Sequence, residues 1–161
     1  MSNNQSLSEL NQLVPNLTIS SLRDAAVQIR EQVPYLKMLV LFGSRACGDY
    51  REDSDWDFAV LYDETLQESL TKDKPYGFIE AYSVISKVLG INSDDIDIVD
   101  LGNCSEILAH RIARDGVLLY EKNKGLFTSF QKKALMSDIQ VQQSRRARID
   151  NIKLSLKRWS V

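Results

Sequence analysis

One histidine, two cysteines and three prolines in 161 residues make this a chain defined first by what it lacks. Cys47 and Cys104 fit no zinc or disulfide framework, and free thiols suit a reducing compartment. No apolar run approaches the roughly 20 residues needed to cross a bilayer. The opening MSNNQSLSEL has neither the basic flank nor the apolar centre of a secretory signal. Internal repeats and low-complexity tracts are missing too. A cytoplasmic protein with no membrane association is the expectation.

What is present fits one cored domain. Hydrophobic residues are 43% and charged residues 26%, close to the average of globular chains. The net charge of −2 conceals an asymmetry. From Phe130 to Val161, eight Lys/Arg stand against two acids, so that segment is +6 and the remainder −8. The acidic and the basic parts are separate surfaces with separate tasks.

Residues 1–17 are polar and weakly patterned, an N-terminal arm. Ser20 or Ser21 followed by Asp24 marks a helix start, and AAVQIREQV has helical apolar spacing as far as Pro34. YLKMLVLF reads as a strand stopped by Gly43-Ser44. GSRACGDYREDS reads as a turn plus loop, and DWDFAVLY as a second strand. Beyond a polar stretch come a helix in FIEAYSVISKVL, a third strand in IDIVDL, a helix in SEILAHRIARDG and a short strand in VLLYE. From Gly125 the pattern is helical, without proline. The order α-β-β-α-β-α-β-α predicts an α+β domain over 18–123, a small mixed sheet flanked by helices, and a basic C-terminal helical extension over 124–161.

Three features of this order carry chemistry. Gly43-Ser44 follows a buried strand, where glycine lets backbone approach phosphate and serine adds a hydroxyl. Asp55 and Asp57 are two apart at the start of a strand, so both carboxylates share one face while Trp56 turns away. Two hard oxygen ligands suit Mg²⁺, which takes one or two carboxylates plus substrate phosphates. Asp97 lies in an apolar strand, where an ionised side chain is costly unless compensated. Should its strand neighbour that of Asp57, three carboxylates would hold two metal ions and activate a hydroxyl. Attack on an α-phosphate needs positioning and charge neutralisation rather than a histidine base, which leaves His110 a surface or packing residue. Arg45 either steadies a phosphate or caps the turn.

Gly43-Ser44, ten residues, then Asp55-Trp56-Asp57 resembles the signature of the polymerase-β-like nucleotidyltransferase superfamily. GSRACGDYREDSDWDFAVL, Asp97 in IDIVDL and ILAHRIARDGVLLYE are similar to minimal nucleotidyltransferase (MNT) proteins, over Leu36 to Glu121. One departure is Cys47, where such proteins often have a second arginine after Arg45. The resemblance implies the polymerase-β-like fold and ATP as substrate. Gly43, Ser44 and Arg45 would bind the nucleotide, and Asp55, Asp57 and Asp97 would serve as metal-binding and catalytic carboxylates with Mg²⁺, two ions in all. It also implies a partner, a HEPN-family ribonuclease toxin, silenced when AMP is transferred to one of its tyrosines.

Two alternatives belong beside this reading. A small-molecule nucleotidyltransferase of the aminoglycoside-modifying kind would need an acceptor-binding domain for which the chain looks too short. A non-catalytic antitoxin acting by contact alone would not need Gly43, Ser44, Asp55, Asp57 and Asp97 intact. The basic extension is a solvated helix face or a docking surface, with Phe127, Phe130, Ile139, Ile149 and Ile152 as apolar anchors. Little aromatic interleaving accompanies its arginines, which argues against direct nucleic-acid binding.

Overall fold

A computed structural model describes residues 17–73 and 77–159. The N-terminal arm expected over 1–17 lies outside the described residues except for Leu17, which packs against the core. The first helix, α1 (Ile19–Gln32), starts slightly earlier than Ser20 and Ser21 suggest. Thr18 is its cap: the Ser21 N–H donates to Thr18 Oγ1 at 3.2 Å, and the Thr18 N–H donates to Ser21 Oγ at 2.9 Å. This reciprocal box satisfies two backbone donors that a helix start otherwise leaves open.

Strand β1 (Leu36–Phe42) is the spine of a four-stranded sheet ordered β3-β2-β1-β4, with β2 as Trp56–Tyr62, β3 as Ile96–Asp100 and β4 as Val117–Glu121. Alternate residues of β1 serve opposite faces. Leu39 and Leu41 join a core cluster with Leu22 and Ile29 of α1, while Met38, Val40 and Phe42 join a second cluster on the other face. Cover on both faces explains why β1 reads as an unbroken apolar run rather than an alternation.

β1 is antiparallel to both β2 and β4, and β2 is parallel to β3, so the sheet is mixed as expected. The parallel pair needs a crossover. Two helices, α3 (Glu64–Thr71) and α4 (Gly77–Leu89), lie in that connection. The sequence left the first of these as a polar stretch. Its start is set by Asp63, whose Oδ1 accepts from the Leu66 N–H at 3.2 Å, and none of its residues is buried. Without a buried stripe it left no apolar periodicity to read.

A second difference lies after β1. Gly43–Cys47, expected as turn and loop, forms a short helix, α2, closed by Gly48 in the left-handed conformation. Five residues are too few to register a helical period, and glycines at both ends look like a turn.

The next helix, α5 (Glu106–Asp115), covers the second face of the sheet through Ile112. Of the two C-terminal helices, α6 (Leu126–Ala134) buries Phe127 in the same cluster. Its start is held by Glu121, whose carboxylate accepts from the N–H groups of Gly125 and Phe127 at 2.9 and 3.0 Å. His110, 8% exposed, is a packing residue: its Nδ1 accepts from the Met136 N–H at 3.0 Å, tying α5 to the bend before α7 (Asp138–Trp159). Much of α7 stands clear of the body, with Ile139, Ile149, Ile152 and Leu154 more than half exposed. Among the described residues no helix is long and apolar enough to cross a membrane.

Candidate active site

The site is built where β1 ends and β2 begins. Gly43 has φ +73, a backbone conformation costly for a residue with a side chain. Space is the harder constraint. A Cβ on Gly43 would lie 2.0 Å from Asp57 Oδ2 and 2.8 Å from its Cγ, so the Asp57 carboxylate occupies the room that a side chain would need. Phe42 is paired with Asp57 in the β1–β2 register, which puts the carboxylate directly beside the Gly43-Ser44 turn.

Asp57 also faces Asp97. The parallel β2–β3 register pairs Trp56 with Ile96, Asp57 with Asp97 and Phe58 with Ile98. Ala59 and Val99, the next residues on the same face, pack in or against the second core cluster. The two aspartates therefore continue a buried row outward to the sheet's end. Asp55 precedes β2 by one residue and its charge reaches Asp57, whereas Trp56 is buried on the opposite face of the strand, stacked 6.3 Å from Phe58.

One expectation needs correction. Asp97 is not a buried charge in an apolar strand: it is exposed, because β3 is the edge strand of the sheet. Burial therefore does not mark it, and its register with Asp57 is what distinguishes it from Asp94, Asp95 and Asp100. Asp100 has a structural task instead, its carboxylate accepting from the Gly102 N–H at 2.9 Å and from Asn103 Nδ2 at 2.7 Å.

The electrostatics agree with the geometry. Desolvation holds the Asp57 carboxyl above its ordinary pKa of 3.8; the negative charges of Asp97 and then Asp55 push it the same way, and Arg111 opposes them. Like charges crowded on one partly dry face are a repulsion that a cation relieves. All the donors are hard oxygens, without sulfur or imidazole, which suits Mg²⁺ rather than zinc. Among the described residues no three His, Cys, Asp or Glu side chains are set to hold a metal by themselves. An ion here would complete its shell with phosphate oxygens and water, the habit of Mg²⁺.

Arg45 is committed to the loop that carries the aspartates. Its Nε and Nη2 donate to the Ser54 carbonyl at 2.9 and 2.6 Å, and Nη2 also donates to the Glu52 carbonyl at 3.2 Å. The guanidinium lies 4.2 Å from the Trp56 ring centroid and 4.9 Å from that of Tyr50. Of the two sequence readings of Arg45, the geometry favours the cap. Arg111 is the residue that sequence reasoning passed over. It lies on α5, 54 positions beyond Asp57, within the ILAHRIARDG stretch, where spacing alone did not set it apart from Arg114.

Residues 25–125 match the family model described as Polymerase beta, Nucleotidyltransferase. The chain is 42% identical over 144 residues to the protein adenylyltransferase MntA of Aphanizomenon flos-aquae (strain 2012/KM1/D3), spanning 89% of this chain and 96% of that protein. Solved structures share the fold. The MNT antitoxin in complex with the tri-AMPylated HEPN toxin of Shewanella oneidensis superposes with a TM-score of 0.56 at 23% identity, covering 84% of this chain and 99% of that one. A toxin–antitoxin structure with AMP-PNP gives a TM-score of 0.53 at 24% identity, covering 81% and 98%.

Proposed function

The chain belongs to the polymerase-β nucleotidyltransferase family, and from that premise we propose that it is a Mg²⁺-dependent protein adenylyltransferase and antitoxin. Its substrates are ATP and a cognate HEPN ribonuclease toxin, which it silences by placing AMP on a tyrosine. The observation that carries this reading is the convergence of Asp57 with Asp97 by register and with Gly43-Ser44 by close approach. A phosphate-binding turn beside a carboxylate face is what nucleotidyl transfer needs.

Each residue has a task. The Gly43-Ser44 backbone and the Ser44 hydroxyl receive the terminal phosphates of ATP. Asp55 and Asp57 would hold Mg²⁺, with Asp97 completing the carboxylate set for a second ion. When bound, the ions neutralise charge on the phosphoryl oxygens. The tyrosine oxygen bonds to the α-phosphorus as the α–β bridging P–O bond breaks, and pyrophosphate leaves with that electron pair. Asp97, exposed beside Asp57, would accept the incoming hydroxyl's proton. The need for ATP, together with two free thiols, supports a cytoplasmic location.

The test is direct. Purified protein, labelled ATP, Mg²⁺ and a HEPN protein encoded beside it should yield a labelled toxin tyrosine, located by mass spectrometry. Asp57→Ala should abolish the label. Absence of label with the unaltered chain would refute the proposal. Rescue of toxin-expressing cells by Asp57→Ala would instead establish an antitoxin that works by contact alone.

A further inference from the structure

We infer that Arg111 is a binding residue for the β- and γ-phosphates of the nucleoside triphosphate, resting on the nucleotidyl-transfer reading above. A cavity of about 250 Å³ is lined by Gly43 and Ser44 and, from α5, by Arg111 and Asp115. Among the described residues no other basic side chain lines this space. A triphosphate seated on the turn brings several negative charges into a pocket that otherwise adds two more, from Asp49 and Asp115.

The neighbouring pairings leave Arg111 available. Asp115 is taken by Arg114, whose Nε and Nη2 donate to its two oxygens at 2.8 and 2.5 Å. Among the described residues the Arg111 side chain makes no hydrogen bond or ion pair. Its side chain is exposed, although its helix is pinned to the sheet by buried Ile112 and Ala113 on one side and buried His110 on the other. The helix is anchored by these buried residues, while the guanidinium acts on Asp115 and Asp57 through its charge alone. Its positive charge already reaches the catalytic face, where it opposes the upward shift of Asp57.

The chemistry gives that charge a use. Breaking the bridging bond leaves the electron pair on pyrophosphate, so negative charge grows on the β- and γ-phosphates beside Ser44. A planar guanidinium with several donors can take two phosphate oxygens at once. Arg111 would therefore favour nucleotides with a triphosphate over monophosphates and stabilise the leaving group.

Binding measured without toxin, by titration calorimetry with Mg²⁺, separates this role from the others. Arg111→Ala should raise the Kd for ATP and for inorganic tripolyphosphate about tenfold or more, the scale of a lost charge-assisted contact, while Kd for AMP stays within about twofold. Arg111→Lys should recover part of the loss. Thermal stability should hold, because the side chain is exposed. Unchanged tripolyphosphate binding by Arg111→Ala would overturn the inference, as would equal weakening of ATP and AMP. Failure of the unaltered chain to bind ATP at all would instead bring down the nucleotidyl-transfer reading, and this inference with it.

Discussion

Oδ2 of Asp57 lies where the side chain of residue 43 would begin, 2.0 Å from the Cβ that glycine lacks. The first motif residue is thus a vacancy kept for the carboxylate of the second, and the two form one unit despite the 13 residues between them. Gly43→Ala should abolish AMP transfer by on the order of 100-fold or more, since displacing a positioned group by about 1 Å has that scale of effect. The left-handed φ adds a stability loss of about 1–2 kcal/mol. Circular dichroism should show the fold retained, and near-normal transfer would refute the relationship.

Asp57→Asn should inactivate the protein and yet stabilise the metal-free chain at neutral pH. The folded carboxyl titrates above 3.8, so folding favours its protonated form. The resulting penalty is absent below that ordinary value, grows as pH rises through the folded pKa, and is complete at neutrality. Melting curves of the two chains should therefore diverge with rising pH and converge near pH 3.8. Adding Mg²⁺ should raise the melting temperature of the unaltered chain and leave Asp57→Asn much less affected.

Arg45→Ala should loosen the loop before β2. Three donor contacts to the Ser54 and Glu52 carbonyls and the stack on Trp56 would go, a loss of about 1–3 kcal/mol. Hydrogen exchange should rise over 49–55, with transfer weakened as Asp55 loses its position. A loss of ATP affinity with stability and exchange unchanged would identify Arg45 as a phosphate ligand instead.

His110→Ala should lower thermal stability by about 1–3 kcal/mol, because the Met136 N–H loses its acceptor at a buried joint. Transfer of AMP should persist at permissive temperature. His110→Gln, whose amide oxygen can accept, should recover part of the loss. Equal damage by both variants would show that packing, not the hydrogen bond, is what His110 supplies.

Glu121→Gln should destabilise the chain at neutral pH and much less in acid. Backbone N–H groups of Phe127 and Gly125 hold the Glu121 carboxyl below its ordinary pKa of 4.5. Its contribution is present above 4.5 and disappears as pH falls through the folded value. Equal melting temperatures of the two chains at pH 7 would contradict it.

The elements that local rules could reach were legible in the sequence. β1, β2, α4, α5 and β4 announce themselves through apolar runs or helical spacing, whereas α2 is too short and α3 too exposed to leave a period. Gly43-Ser44 and Asp55-x-Asp57 were legible for the same reason: within 15 consecutive residues, strand geometry with its period of two decides which side chains share a face. Covalent geometry needs no knowledge of the rest of the fold. The partnership of Asp57 with Asp97, the arrival of Arg111 and the fit of Asp57 over Gly43 are different in kind. They depend on β2–β3 register and on how α5 docks, which long connections and the packing of two core faces decide together. A pair of carboxylates was therefore readable from spacing alone, and the third stands beside them only because β2 pairs with β3 in this register.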